Sequence, residues 1–217
     1  MRDTGKTTRF ERFWHIVLRG PVRFLTRLRV HGEENIPKDT GCIVCANHIQ
    51  LYDVFVLSAT FPRDRMPKYL AKKELFRIPL LGRLLRAMGA IPLDRGGRDV
   101  RAIDTAVKVA KGGGFLTVFP QGTRQKGRNP AQTPIKSGAA LIASRAGLPI
   151  LPVCIAMKNQ RYRLFRPVDV YIGRPLSLEE LGLADRSHSY MEATEQVFLE
   201  ACRLGGFLPE AEGGKKA

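Results

Sequence analysis

The chain alternates short apolar runs with polar turns and amphipathic stretches, and that alternation predicts its elements. Residues 41–46, Gly-Cys-Ile-Val-Cys-Ala, are an almost unbroken apolar run, the pattern of a strand buried on both faces. Residues 115–119 and 148–156 read the same way, and residues 27–31, 68–72, 89–93 and 168–172 extend the set of strands. Between them, apolar positions recur at helical spacing over residues 54–59, 80–88, 100–111, 137–146 and 190–204. Gly112-Gly113-Gly114 stops one of these helices. Strands alternating with helices predict an α/β fold, a mixed, mostly parallel sheet flanked by helices, in one domain over residues 28–205. Residues 206–217 read as a flexible tail.

Residues 1–27 follow another pattern. Phe10, Phe13, Trp14, Val17 and Leu18 recur at helical spacing, while Arg9, Arg12 and Arg19 fall elsewhere on the wheel. Residues 9–30 hold six Arg against one Glu. Aromatics on one side and arginines on the other predict an amphipathic membrane-docking arm, with ordinary core packing as the competing reading. Gly20-Pro21 is expected to break or restart this helix.

Charge sharpens the picture. Of 217 residues, 36 are Lys or Arg and 20 are Asp or Glu, a net charge of +16. That excess predicts an anionic partner: a membrane surface, a phosphorylated substrate or nucleic acid. Nucleic acid is set aside, because no zinc-finger, RNP or helix-turn-helix pattern accompanies the charge. No apolar run reaches the roughly 20 residues that span a bilayer, and no signal-peptide pattern opens the chain. The expectation is a peripheral protein on the cytoplasmic face of the cell membrane. The four Cys read as core residues rather than a disulfide framework. Cys42, Cys45 and His48 superficially resemble half a metal site, but strand residues three apart point to opposite faces, so no metal is expected.

The polar positions that carry chemistry fall at predicted strand ends, where α/β folds place their sites. His48 and Asp53 follow the strand of residues 41–46. A continuous helix would set them about 140° apart, so a turn must bring the carboxylate back to the ring. Given that turn, Asp53 holds one ring nitrogen and leaves the other to accept a proton from an alcohol. Arg95 and Arg124 end two further strands and supply a fork for a phosphate, with Gly96, Gly97 and Gly122 allowing close backbone approach. No Ser or Cys stands in a nucleophile elbow, so direct attack by a substrate hydroxyl is favoured over a covalent enzyme intermediate.

The ordered set Asn47-His48 with Asp53, Ile91-Pro92-Leu93-Asp94-Arg95, Phe119-Pro120-Gln121-Gly122-Thr123-Arg124 and Leu148-Pro149-Ile150-Leu151-Pro152-Val153 resembles the four motifs of the glycerolipid acyltransferases. The match is closest to the 1-acylglycerol-3-phosphate acyltransferases. This resemblance implies acyl transfer from an acyl-CoA or acyl carrier protein thioester, used as co-substrate with no cofactor, to a lysophospholipid hydroxyl. It makes His48 the base and Asp53 its orienter. Lys72, Arg95, Gly122, Thr123 and Arg124 would bind the acceptor, while Asn47, Gln121 and Pro152 would support the site, the Pro152 segment shaping an acyl channel. The chain departs at Gln121, where the family usually has Glu. That loss of charge opens a second acceptor reading, a lysolipid without the phosphomonoester, such as a lyso-ornithine lipid. The non-enzymatic competitor is a basic membrane- or nucleic-acid-binding protein with a structural His48.

Overall fold

The computed structural model describes residues 7–87, 89–93 and 100–208. Among them, seven strands form one sheet: β1 (Arg29–His31), β2 (Cys42–Ala46), β3 (Pro67–Lys72), β4 (Ala90–Leu93), β5 (Phe115–Val118), β6 (Ile150–Ala156) and β7 (Asp169–Ile172). Their order is β1-β7-β6-β2-β5-β3-β4. β6, β2, β5, β3 and β4 run parallel, whereas β7 is antiparallel to β6 and β1 follows β7. The sheet is therefore mixed and mostly parallel. One consequence matters for the site: the reversal between β6 and β7 keeps residues 157–168 at the edge where β2, β5 and β6 end.

β2 lies between β5 and β6 and is buried throughout. Its alternating side chains feed two separate clusters. Cys42, Val44 and Ala46 pack with α1 (Arg9–Thr26), α2 (Asp53–Thr60) and α3 (Pro79–Ala87). Ile43 and Cys45 pack with α4 (Val100–Lys111), α5 (Gly138–Ala146) and α6 (Tyr190–Leu204). Cys42 and Cys45 thus point to opposite faces of the sheet. Each fully buried Val or Ile contributes about 1.5–3 kcal/mol, which fixes the strand and the residues that leave its end.

α1 departs from expectation, because it runs unbroken through Gly20 and Pro21. Pro21 removes one backbone donor, a penalty of about 3 kcal/mol in an unsupported helix. Packing against α2 and α3 offsets it. The face that packs mixes polar Glu11 and His15 with apolar Leu18 and Val22. Glu11 closes a capping box with Thr8 and forms a buried ion pair with Lys68 of β3. His15 Nε2 lies 2.9 Å from the Ser58 carbonyl and 3.2 Å from that of Phe61, so the ring donates there. Burial lowers the His15 pKa and keeps it neutral.

The opposite side of α1 is apolar and exposed, with Phe10, Phe13, Ile16, Val17 and Phe24 facing outward. At 100° per residue, Phe10, Phe13, Val17 and Phe24 share an arc of about 60°. Leu18, expected in this outward set, turns inward and lines a small gap beside Phe55 and Met66. The helix is inverted relative to an ordinary surface helix.

The buried pair sets the first test. Glu11→Ala leaves Lys68 charged and buried, so denaturant unfolding is expected to lose about 3–5 kcal/mol. Glu11→Leu with Lys68→Met should recover most of that loss. A single-variant loss below about 1 kcal/mol, the scale of a surface pair, would contradict this role.

Candidate active site

β2 ends at Ala46, and the next residue extends the ladder with its side chain. Asn47 Nδ2 donates to the Ile155 carbonyl at 2.9 Å, and Asn47 Oδ1 accepts from the Ile155 N–H at 2.7 Å. This amide bridge to β6 fixes the chain as His48 leaves the sheet. A turn follows, and Asp53 opens α2 fully buried. The turn supplies what the five-residue spacing requires: His48 Nδ1 lies 2.6 Å from Asp53 Oδ2.

Asp53 collects donors. Oδ2 also accepts the backbone N–H groups of Ile49 at 2.6 Å and Gln50 at 2.9 Å. Oδ1 accepts the Tyr162 hydroxyl at 2.9 Å. Burial first, then the Asp53 charge, raises the Tyr162 pKa well above its usual value, so the phenol stays a donor. An ionised carboxylate only accepts, so His48 Nδ1 must carry the proton. Nε2 then holds its lone pair free to take another. The helix N-terminus beneath Asp53 favours the same negative charge.

Two further contacts hold the imidazole. Phe119 stacks on it with centroids 4.1 Å apart and planes 15° from parallel. Gln121 Oε1 accepts the His48 N–H at 2.6 Å, while Gln121 Nε2 donates to Thr133 Oγ1 at 2.6 Å. Thr133 in turn donates to the Pro130 carbonyl. Gln121 is 4 % exposed. It joins the end of β5 to the end of β2, with both ends of its amide engaged inside the protein. A carboxylate here would require the Thr133 hydroxyl to turn round and abandon Pro130. The amide fits this network as it stands.

Gln125 N–H donates to the His48 carbonyl at 2.8 Å. Residues 121 and 125 therefore bracket His48, and Gly122, Thr123 and Arg124 form an exposed rim beside it. Gly122 has φ +68°, a conformation that favours glycine, and a Cβ there would meet the Lys136 side chain. Lys72 stands exposed at the end of β3, on the same sheet edge. Arg95, with Asp94, Gly96 and Gly97, lies outside the described residues. Pro152 sits four residues before the end of β6, buried against Gly173, about 13 Å short of that edge. It supports the sheet rather than the rim. Tyr162, Phe119 as a ring partner and Thr133 were not singled out from sequence.

The family model described as Acyltransferase matches residues 27–156. A 1-acyl-sn-glycerol-3-phosphate acyltransferase of Bacillus subtilis is 31% identical over 178 residues, 80% of this chain and 87% of that protein. The Saccharomyces cerevisiae protein of the same name is 32% identical over 192 residues, 84% of this chain but 62% of the longer yeast one. The crystal structure of the 1-acyl-sn-glycerophosphate (LPA) acyltransferase PlsC from Thermotoga maritima superposes with a TM-score of 0.67 at 29% identity. It covers 92% of this chain, which spans 82% of that one.

The tautomer is directly measurable. Long-range ¹H–¹⁵N NMR of the resting protein should show His48 protonated on Nδ1 and not on Nε2. Asp53→Asn, whose amide can donate where the carboxylate accepted, should shift the proton to Nε2 while the fold persists. An Nε2-protonated ring in the unsubstituted protein would contradict the geometry.

Proposed function

The chain belongs to the acyltransferase family, and we propose that it transfers a fatty acyl group from a thioester to the free hydroxyl of lysophosphatidic acid, giving phosphatidic acid. The observation that carries this reading is the open Nε2 of a partly exposed histidine, held by buried Asp53 at a sheet edge rimmed by cations. His48 takes the proton of the acceptor hydroxyl as its oxygen attacks the thioester carbonyl. The tetrahedral intermediate collapses, the carbon–sulfur bond breaks, and the imidazolium returns its proton to the departing thiolate. An ester and a free thiol result, with no covalent enzyme intermediate.

Cations at the rim suit the acceptor's phosphate. Arg124 and Lys72 offer charge, and the left-handed turn at Gly122 leaves its surface open for close approach. Arg95 completes this set by the resemblance of its motif. The donor is an acyl-CoA or acyl carrier protein thioester, and both co-substrates are anionic outside the acyl chain. The acceptor and product are lipids, and no helix among the described residues is long and apolar enough to cross a membrane. The outward face of α1 answers this need: Phe13, Val17 and Phe24 enter an anionic bilayer while Arg12, Arg19 and Arg23 meet head groups from one flank. The protein is thereby a monotopic enzyme of the cytoplasmic face. Glu11 and His15 tie α1 to the body of the protein, which fixes the direction its outer face presents.

Free-thiol release from palmitoyl-CoA and from palmitoyl-acyl carrier protein, with phosphatidic acid followed by chromatography, tests the activity. Release that requires lysophosphatidic acid is expected with at least one donor. Its absence with both would overturn the reading. Arg124→Ala should raise the KM for lysophosphatidic acid roughly 10-fold or more, the scale of one charged hydrogen bond, and leave that for the thioester little changed. Equal effects on both substrates would count against acceptor binding.

A further inference from the structure

The segment between β6 and β7 departs from ordinary loop chemistry. Every charged residue between Asp104 and Asp169 is Lys or Arg, and Lys158, Arg161, Arg163 and Arg166 crowd into this one connection. None of Arg161, Arg163 and Arg166 has an acidic partner among the described residues. At the loop's tip, Leu164 is 72 % exposed and Phe165 is close to half exposed.

Its backbone is held in an unusual shape. Asn159, Gln160 and Phe165 all adopt positive φ, which non-glycine residues rarely do. The buried Gln160 side chain has no hydrogen-bond partner for either end of its amide. Such features persist where surrounding structure imposes them, and they cluster at functional segments. Here the constraint is visible at both ends of the loop. Tyr162 binds Asp53 at 2.9 Å, and the Phe165 N–H donates to the Leu25 carbonyl at 2.7 Å. The Phe165 ring also meets Phe24 edge-on, with centroids 5.7 Å apart.

The loop tip is therefore continuous with the outward apolar face of α1, since Phe24 is 70 % exposed on that face. Apolar side chains flanked by unpaired arginines match an anionic bilayer in both hydrophobicity and charge. We propose that residues 161–166 are a second membrane contact: Leu164 and Phe165 insert beside α1, and Arg161, Arg163 and Arg166 bind the phosphates of anionic lipids. Because the same loop reaches Asp53 through Tyr162, its seating holds the His48 site level with the head groups, where an acceptor hydroxyl lies. This rests on the acyltransferase reading above and adds to it a surface that neither the motifs nor α1 includes.

The test separates docking from chemistry. Leu164→Glu is compared with Met191→Glu, a control at another exposed apolar position, on α6, and with Phe13→Glu on α1. Each full-length variant is assayed for co-sedimentation with phosphatidylcholine–phosphatidylglycerol vesicles. Each is also assayed for acylation of lysophosphatidic acid presented in vesicles, and of a short-chain lysophosphatidic acid dissolved as monomer. Leu164→Glu should weaken vesicle binding roughly tenfold, the effect of withdrawing one leucine from apolar surroundings. It should slow acylation in vesicles and leave acylation of the monomeric acceptor unchanged, and Met191→Glu should change neither. Arg163→Glu with Arg166→Glu should lose the preference for anionic over neutral vesicles. Undiminished binding and vesicle activity in Leu164→Glu, with Phe13→Glu impaired, would overturn the loop as a contact while leaving the acyltransferase reading intact. Failure of the unsubstituted protein to acylate either acceptor would instead overturn that reading.

Discussion

A single buried carboxylate organises the catalytic edge. Asp53 receives hydrogen bonds from the turn that precedes it, from His48 and from Tyr162 on a distant loop. A buried charge of this kind is tolerated only when its lone pairs are satisfied, and leaving it unpaired would cost several kcal/mol. The same requirement that stabilises the carboxylate therefore shapes the turn, sets the histidine tautomer and draws the β6–β7 connection over the site. Folding and chemistry depend on one set of bonds. Removing any donor should be felt in both.

The second constraint is the inversion of α1. A helix normally buries its apolar stripe and exposes its charges. Here the buried stripe carries Glu11 and His15, and the exposed one carries Phe10, Phe13, Val17 and Phe24. In water alone this arrangement forgoes hydrophobic burial, and the ion pair with Lys68 does not by itself make up the loss. It becomes economical once a bilayer covers the outer face. On the docking proposed above a bilayer would supply the missing burial, and the loop at Leu164 and Phe165 extends the same exposed apolar surface.

Much of this could be read from the chain, for stated physical reasons. Parallel strands covered on both faces show as continuous apolar runs, which is why residues 41–46, 115–119 and 148–156 were plain. His48 and Asp53 were visible as a spacing, and the turn needed to join them is there. What could not be read depends on long-range geometry. Tyr162 lies 109 residues from Asp53 in an irregular connection, and only the reversal between β6 and β7 brings it near. Gln121 reads locally as a missing charge at a binding motif, whereas its pairing with His48 and Thr133 makes it an internal strut. Gly20-Pro21 signalled a break because propensity acts locally, but docking against α2 and α3 outweighs it. Leu18 lies about 80° outside the arc of Phe10, Phe13, Val17 and Phe24, on the side of Val22 that packs against α2.

The central claim is that His48, held by Asp53, removes the proton from the acceptor hydroxyl. Its most direct test is the turnover of His48→Ala at saturating thioester and lysophosphatidic acid, beside a thermal melt. Turnover should fall about 10²- to 10⁴-fold, the contribution of a positioned general base, while the melt, lowered by the lost hydrogen bond to Asp53, still shows a cooperatively folded protein. A folded His48→Ala protein that transfers acyl groups at near the unsubstituted rate would contradict the account.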